Sequence, residues 1–251
     1  MKTHPYGWLL PEFPRIPHLI KPTHMQEDDL VIQTASLAFV LEQEVIVEEK
    51  LDGANCGMAY DVEGIGQIRN RTHILSKNYF QNKRTPAKEQ FLSAWGWQSR
   101  NKDKFMHLNK LNKGQIAVYG EWVLAIHGIE YDHLPDQFIT YALYSSLYSR
   151  FLPPDESRDL LVESGFNIAR ELYRGKTNLD DLEAMASHRS SYSSIDKREG
   201  VVIKIPKSLN QYKLIRNNYI QNARWNDKIM QRQKSWIKVK GLNDQYIGDT
   251  E

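Results

Sequence analysis

The sequence predicts an α+β fold, and three observations carry that expectation. Short β-branched or aromatic runs recur at Val45-Ile46-Val47, 115–127, Phe138 to Tyr144 and Arg198 to Ile205. A hairpin pattern follows the first of them. Helical spacing is confined to separate stretches, Lys88 to Met106, Asp155 to Ser164 and Thr177 to about Ala186. With 251 residues, 41% hydrophobic and 25% charged, the chain is long enough for one large domain, or one domain and a small appendage. A formal net charge of +2 neither demands nor excludes a nucleic-acid partner, so a local basic surface would have to carry that role. The single cysteine, Cys56, leaves no internal disulfide and no cysteine-rich zinc site; it fits a reducing compartment, and a cytoplasmic location is expected. Met1 to Lys21 carries prolines, histidines and charges where a signal peptide would be apolar, and no run of about 18 apolar residues offers a membrane span.

Taken in order, residues 1–30 are broken by Pro5, Pro11, Pro14, Pro17 and Pro22 and read as an irregular lead-in that packs Tyr6, Trp8 and Phe13 on the domain. Leu37 to Val47 leads into Glu48-Glu49-Lys50-Leu51-Asp52-Gly53-Ala54-Asn55, a strand delivering a lysine to a tight turn. A lysine amine becomes a good nucleophile when burial or nearby positive charge lowers its pKa. Asp52 is placed to orient it or hold a metal, and Gly53 lets the backbone turn close to a phosphate or base. Alone, such a tetrapeptide occurs in many surface turns. Gly57 to Val62 and Ile65 to Arg69 form the hairpin, turned at Glu63-Gly64 and ending in Arg69-Asn70-Arg71. These arginines either face phosphates or are solvated surface groups.

The helical stretch from Lys88 to Met106 presents Phe91, Leu92, Trp95 and Phe105 as its apolar face. Residues 115–127 make an apolar strand interrupted by Gly120-Glu121, and a glutamate there is costly to bury unless paired or bound to a metal. An aromatic strand runs from Phe138 to Tyr144, and the helix from Asp155 ends at Gly165. Thr177-Asn178-Leu179-Asp180 has capping-box form, and the serine-rich Ser187 to Ser194 reads as a mobile connection. Glu199 and Lys204 mark the two ends of the last strand, and Lys213 and Arg216 follow. From Tyr219 to Lys240, Ile220, Ala223, Met230 and Ile237 recur at roughly helical spacing opposite a basic face, which predicts a helix laid on the domain or against a phosphate backbone. The expected division is therefore a domain over 1–218 and a basic C-terminal helix and tail over 219–251.

Together and in this order the pieces resemble the covalent nucleotidyltransferase superfamily of ATP-dependent DNA and RNA ligases and capping enzymes. Lys50-Leu51-Asp52-Gly53 resembles its nucleophile motif, Arg69-Asn70-Arg71 the arginine motif, Gly120-Glu121 the third motif and Phe138 to Leu143 the strand that stacks on the base. Glu199-Gly200-Val201-Val202-Ile203-Lys204 resembles the Glu-Gly motif, and Lys213 with Arg216 the final basic motif. The resemblance covers about two-thirds of the chain, residues 48–216. RNA ligases fit best, because Asn55 matches their Lys-x-Asp/His-Gly-x-Asn form, and Phe13 to Leu19 and Tyr131 to Pro135 are similar to that family. DNA ligases and capping enzymes carry an OB-fold of on the order of a hundred residues after the last motif. Only 35 residues follow Arg216, so no such domain is expected. Two features depart from the pattern: the aromatic strand reads Tyr141-Ala142 where Phe-Asp is usual, leaving Tyr141 and Phe138 both open as the stacking ring, and Lys213 and Arg216 are spaced one residue wider than Lys-x-Lys.

The resemblance implies a nucleotidyltransferase (ATP-grasp-like ligase) domain of two antiparallel sheets around a nucleotide cleft, and ATP-dependent joining of a 3′-hydroxyl to a 5′-phosphate. It implies Lys50 as the nucleophile towards ATP, Asp52 at the ribose or the 3′-hydroxyl, Asn55 at the 5′-phosphate, and Arg71 at phosphate or ribose. Glu121 and Glu199 would hold the ribose and Mg²⁺ (or Mn²⁺), Tyr141 would stack on adenine, and Lys204, Lys213 and Arg216 would neutralise the triphosphate, with Lys213 also catalytic. Glu48 and Glu49 complete the expected nucleotide-binding set. The expected partner is nucleic-acid ends, RNA before DNA, with no membrane and with a protein supplying substrate binding in trans. A DNA nick ligase, a capping-type transferase using GTP and a non-catalytic end-binder are the competing readings; the intact Lys50, Glu121 and Glu199 weigh against the last.

Overall fold

The computed structural model describes residues 10–25, 27, 29–76, 85–226 and 229–233. Among them two antiparallel sheets are flanked by helices, as the α+β reading expects. One sheet has the order β7-β1-β8-β9, with β1 Val45–Lys50, β7 Glu171–Gly175, β8 Gly200–Lys204 and β9 Gln211–Ile215. The other has the order β3-β2-β4-β5-β6, with β2 Ala54–Tyr60, β3 Gly66–Asn70, β4 Ile116–Trp122, β5 Phe138–Ser145 and β6 Arg150–Phe151. The chain leaves the first sheet at Lys50 and enters the second at Ala54, so Leu51, Asp52 and Gly53 are the crossing between them.

Alternation along β1 decides which way the lysine points. Val45 and Val47 pack with Val201, Ile203 and Leu214 in one core cluster, together with Val40 of α1 (Thr34–Glu42). Each such side chain contributes about 1.5–3 kcal/mol on burial. Glu48 and Lys50 have the opposite parity and turn to the other face. A one-residue slip would drive them into that core, so the register is strongly fixed. The second sheet rests on Met58, Ile68, Val118, Trp122, Phe138 and Leu143, packed with residues of the helices that follow β3.

Several elements differ from expectation. The stretch Lys88 to Met106 is broken into α2 (Pro86–Glu89), α3 (Ala94–Arg100) and α4 (Lys102–Leu111). The breaks rotate the apolar stripe, so that Trp97 and Leu108 are buried with Phe91 and Phe105, while Leu92 and Trp95 are only half-buried. The apolar run before β1 is mostly helix, α1, ended at Gln43, whose extended backbone starts the strand. The later helices α5 (Pro154–Glu163) and α6 (Leu179–Ser187) lie where expected, with Asn178 capping Asp181 N–H at 2.9 Å. The serine-rich segment is packed and pinned, not a loose connection: Ser190 and Ser193 are buried.

The tail is not helical over its described residues, 219–226 and 229–233. Asn218 and Asn222 take left-handed backbone (φ 64° and 56°), which interrupts a helix, and the freed donors and acceptors pair with the segment after β4. Arg224 N–H donates to His127 O (2.8 Å), Ile126 N–H to Gln231 O (2.8 Å), and Gln233 N–H to Leu124 O (3.0 Å). Residues 234–240 of the expected helix, and Tyr6 and Trp8 of the lead-in, lie outside the described residues. No described helix is long and apolar enough to cross a membrane.

Candidate active site

The cleft between the sheets begins at the crossing. Gly53 has no room for a side chain: an added Cβ would lie 2.8 Å from Trp122 O and 3.0 Å from Glu121 Cγ. That close approach brings the lysine turn against β4. Asp52 N–H donates to the Tyr131 hydroxyl (2.7 Å), and Asp52 Oδ2 accepts from Gly128 N (2.6 Å) and Ile129 N (2.8 Å). The turn is thus locked to the segment after β4 on both backbone and side chain. The sequence marks Tyr131 only through its resemblance and Gly128 not at all, and the pairing with Asp52 spans 76 to 79 residues.

Lys50 Nζ lies 2.7 Å from Glu199 Oε2, delivered from the adjacent β8 end because Lys50 pairs with Gly200. Glu121 pairs with Asn55 across β2 and β4, so it reaches the same space from the second sheet. Burial acts to lower the Lys50 pKa, but Glu199, Glu121 and Asp52 outweigh it and hold the amine above the ordinary lysine value. To act as a nucleophile the amine must first shed the proton that these carboxylates hold. The carboxylates bear the converse: burial, with the neighbouring acids, pushes Glu121 up to about 8 and Glu199 up to about 7. This is a surplus of negative charge around one ammonium, and a divalent cation fits it. Among the described residues no group of three acidic, histidine or cysteine side chains closes on a common point. Water and phosphate would have to complete the shell, as is usual for Mg²⁺.

Tyr141 owes its position to an irregularity. Tyr119 pairs with Ala142 and Gly120 with Thr140, so Tyr141 is the extra residue of a bulge, which re-aims its side chain. Gly120 permits this, since a Cβ there would sit 2.5 Å from Ile139 O. The Tyr141 hydroxyl accepts from Asn55 Nδ2 (2.6 Å), and its ring meets Phe13 of the lead-in at 5.2 Å. Phe138, by contrast, is 1% exposed and packs on Trp97 in the core, which removes it as a stacking ring. Lys204 Nζ joins the sheets, bonded to Glu48 Oε2 (2.6 Å) and Tyr141 O (2.8 Å).

The remaining predicted residues divide. Lys213 shares the sheet face of Glu48 and Lys204 and pairs with Asp29 Oδ1 at 2.7 Å. Arg71 is exposed, and its charge acts on Glu121 and Tyr141. Its neighbour Arg69 is structural, donating to Leu10 O (2.7 Å), Asn70 O (3.0 Å) and Arg71 O (3.1 Å). Arg216 Nε donates to Arg198 O (2.8 Å), and its guanidinium lies over the Tyr219 ring at 5.2 Å. Glu49 points to the opposite side of β1, where it accepts from Ser190 Oγ (2.5 Å) and Ser191 N (2.8 Å). It holds the serine-rich segment and is not brought together with the lysine cluster.

A strand-borne lysine thus lies between two sheets beside carboxylates from both, Glu199 buried and Glu121 half-buried. The RNA ligase family model matches residues 43–239, and the chain belongs to that family. Three solved structures of Naegleria gruberi RNA ligase share the fold. A lysine-to-methionine mutant with AMP and Mn has a TM-score of 0.58 at 20% identity, covering 82% of this chain and 58% of that one. The protein with PPi has a TM-score of 0.55 at 20% identity, covering 86% and 60%. A lysine-to-alanine mutant with ATP and Mn has a TM-score of 0.55 at 20% identity, covering 82% and 58%. The chain therefore spans about three-fifths of the length of those ligases. No curated protein matches the sequence.

Proposed function

We propose that this chain is an ATP-dependent RNA ligase acting through a covalent lysyl-AMP. The observation that carries the reading is Lys50 at the crossing of the two sheets, 2.7 Å from Glu199 and facing Glu121, in a chain of the RNA ligase family. In the first step the Lys50 amine, having lost a proton, attacks the α-phosphate of ATP; the N–P bond forms as the α–β anhydride breaks and pyrophosphate leaves. AMP then passes to a 5′-phosphate, and a 3′-hydroxyl attacks that phosphate and expels AMP. Such in-line displacements depend on positioning and on neutralising charge.

The residues divide this work by where they lie. Glu199, 2.7 Å from the amine, orients Lys50, whose proton leaves to solvent. A divalent ion, Mg²⁺ or Mn²⁺, held by Glu121 and Glu199 would neutralise phosphate charge and relieve the carboxylates that keep Lys50 protonated. Lys204, Lys213, Arg71 and Arg216 face the triphosphate, Glu48 orients Lys204, and Tyr141 stacks on adenine. Asn55 serves the 5′-phosphate, and Asp52 serves the ribose or the 3′-hydroxyl while anchoring the turn.

End-joining tests the reading. With ATP and Mg²⁺, RNA strands bearing 3′-hydroxyl and 5′-phosphate ends should be joined with release of AMP, and an adenylylated 5′ end should accumulate when the acceptor lacks its 3′-hydroxyl. Joining of the corresponding DNA strands but not of RNA would contradict the substrate assignment.

A further inference from the structure

The lead-in crosses the cleft and is tied to both sheets. Leu10 and Pro11 accept from Arg69 and Tyr119 of the five-stranded sheet (2.7 and 2.5 Å). Further on, Lys213 N–H donates to Pro17 O (2.9 Å) and Leu19 N–H to Lys213 O (2.8 Å), which seats Pro17 to Leu19 beside β9. His18 then pairs with the returning segment, donating its N–H to Leu30 O (2.6 Å) and accepting from Ile32 N–H (3.0 Å). This fold-back delivers Asp29 to the end of the Lys213 side chain. Asp29 Oδ1 lies 2.7 Å from Lys213 Nζ and 3.0 Å from His18 Nε2. His18 is 3% exposed, and the Asp29 and Lys213 side chains are only 14% and 18% exposed. The pair is therefore sheltered, unlike a solvated surface pair.

We propose that Asp29 is a positioning residue for catalysis: it fixes the Lys213 ammonium at the phosphate end of the cleft. The inference rests on the ligase reading above. A free lysine head loses rotamer entropy when it is held in one place. Asp29 takes up one of the three ammonium donors and leaves two for phosphate oxygens. Burial and the charge of Lys213 act to lower the His18 pKa, which favours Lys213 as the cation that the carboxylate holds. Lys213 in turn acts electrostatically on Glu199, the partner of Lys50. A lysine attached to β9 alone would sweep a wide cone; tethered to Asp29 it stays beside the reacting phosphate.

The test uses the full chain and Asp29→Asn, which keeps the shape and removes the charge, with the melting temperature recorded for both. Brief treatment with an amine-acylating reagent, quantified lysine by lysine by mass spectrometry, reads the tether without any enzymatic activity. Loss of the carboxylate should raise acylation of Lys213 by about tenfold or more, while Lys204, on the same sheet face but bonded to Glu48, is unmoved. In parallel, the single-turnover rate of protein labelling by α-phosphate-labelled ATP, at saturating ATP, should fall by about 10- to 100-fold. Both changes at an unaltered melting temperature support the proposal. A rise in Lys213 acylation with an unchanged labelling rate overturns it, as does a slower rate with Lys213 acylation unmoved. If the parent protein is never labelled, the ligase reading itself has failed and this role for Asp29 falls with it, even where the acylation result confirms the pair.

Discussion

Lys50 rests as an ammonium, and the groups that hold its proton are the ones that would bind a cation. Glu199 contacts it directly, and Glu121 reaches it from the opposite sheet. The upward shift of Glu121, from 4.5 to about 8, makes a definite statement about stability. Between those values the folded protein keeps a proton that the unfolded chain has lost, so protons bound in the native state exceed those in the unfolded one. Stability from this group is full at low pH and falls as pH rises through the window. Added Mg²⁺ should therefore raise the melting temperature more at about pH 9 than at about pH 6, and Glu121→Gln should flatten that difference. A gain from Mg²⁺ independent of pH would place the cation elsewhere. These acidic residues were legible in the sequence because each lies beside its own local signal: a glycine, a β-branched run, a lysine two to five residues away. The direction of the lysine shift was not legible, since the carboxylates that raise it come from positions 121 and 199.

At the scale of elements, glycines set the distances between strands. Gly53 brings the crossing turn against β4, and Gly120 makes room for the bulge that presents Tyr141. A methyl group at position 120 would meet Ile139 O at 2.5 Å and Phe138 Cε2 at 2.6 Å, neither of which can move without shifting β5. Gly120→Ala should cost about 1–3 kcal/mol in urea unfolding and raise the KM for ATP, because the bulge would relax with Tyr141 on it. A stability loss with an unchanged KM would detach Tyr141 from nucleotide binding. Strands with strong β-branched patterns, β1, β4, β5 and β8, were legible. The short β6 and β7 were not, being two and five residues long with exposed or half-buried side chains. Helix α1 was hidden in an apolar run continuous with β1, and the breaks that separate α2, α3 and α4 rest on no proline or glycine within the boundaries at Ser93 and Asn101.

Across the whole molecule, the site is braced by segments remote in sequence. The tail returns to the 124–131 segment through Gln233, fully buried, whose amide donates to Ile129 O (2.8 Å) and Ala125 O (3.5 Å) and accepts from Tyr131 N (2.7 Å). Tyr131 in turn holds Asp52, so the tail supports the lysine turn at two removes. Gln233→Ala should orphan those backbone groups and destabilise the fold by about 1–3 kcal/mol, read by urea unfolding. The sequence offered only an amphipathic spacing there, and the helix it suggested gave way to turns because long-range pairing satisfied the backbone instead. Lys213 with Asp29, 184 residues apart, was equally out of reach of any local pattern. Covalent adenylylation of Lys50 is read directly by incubation with α-phosphate-labelled ATP and Mg²⁺, with labelled GTP in parallel, followed by denaturation. Label from ATP should appear on the polypeptide and be lost in Lys50→Ala while the fold persists. Label retained by Lys50→Ala, or none from either nucleotide on protein not already adenylylated as purified, would contradict it.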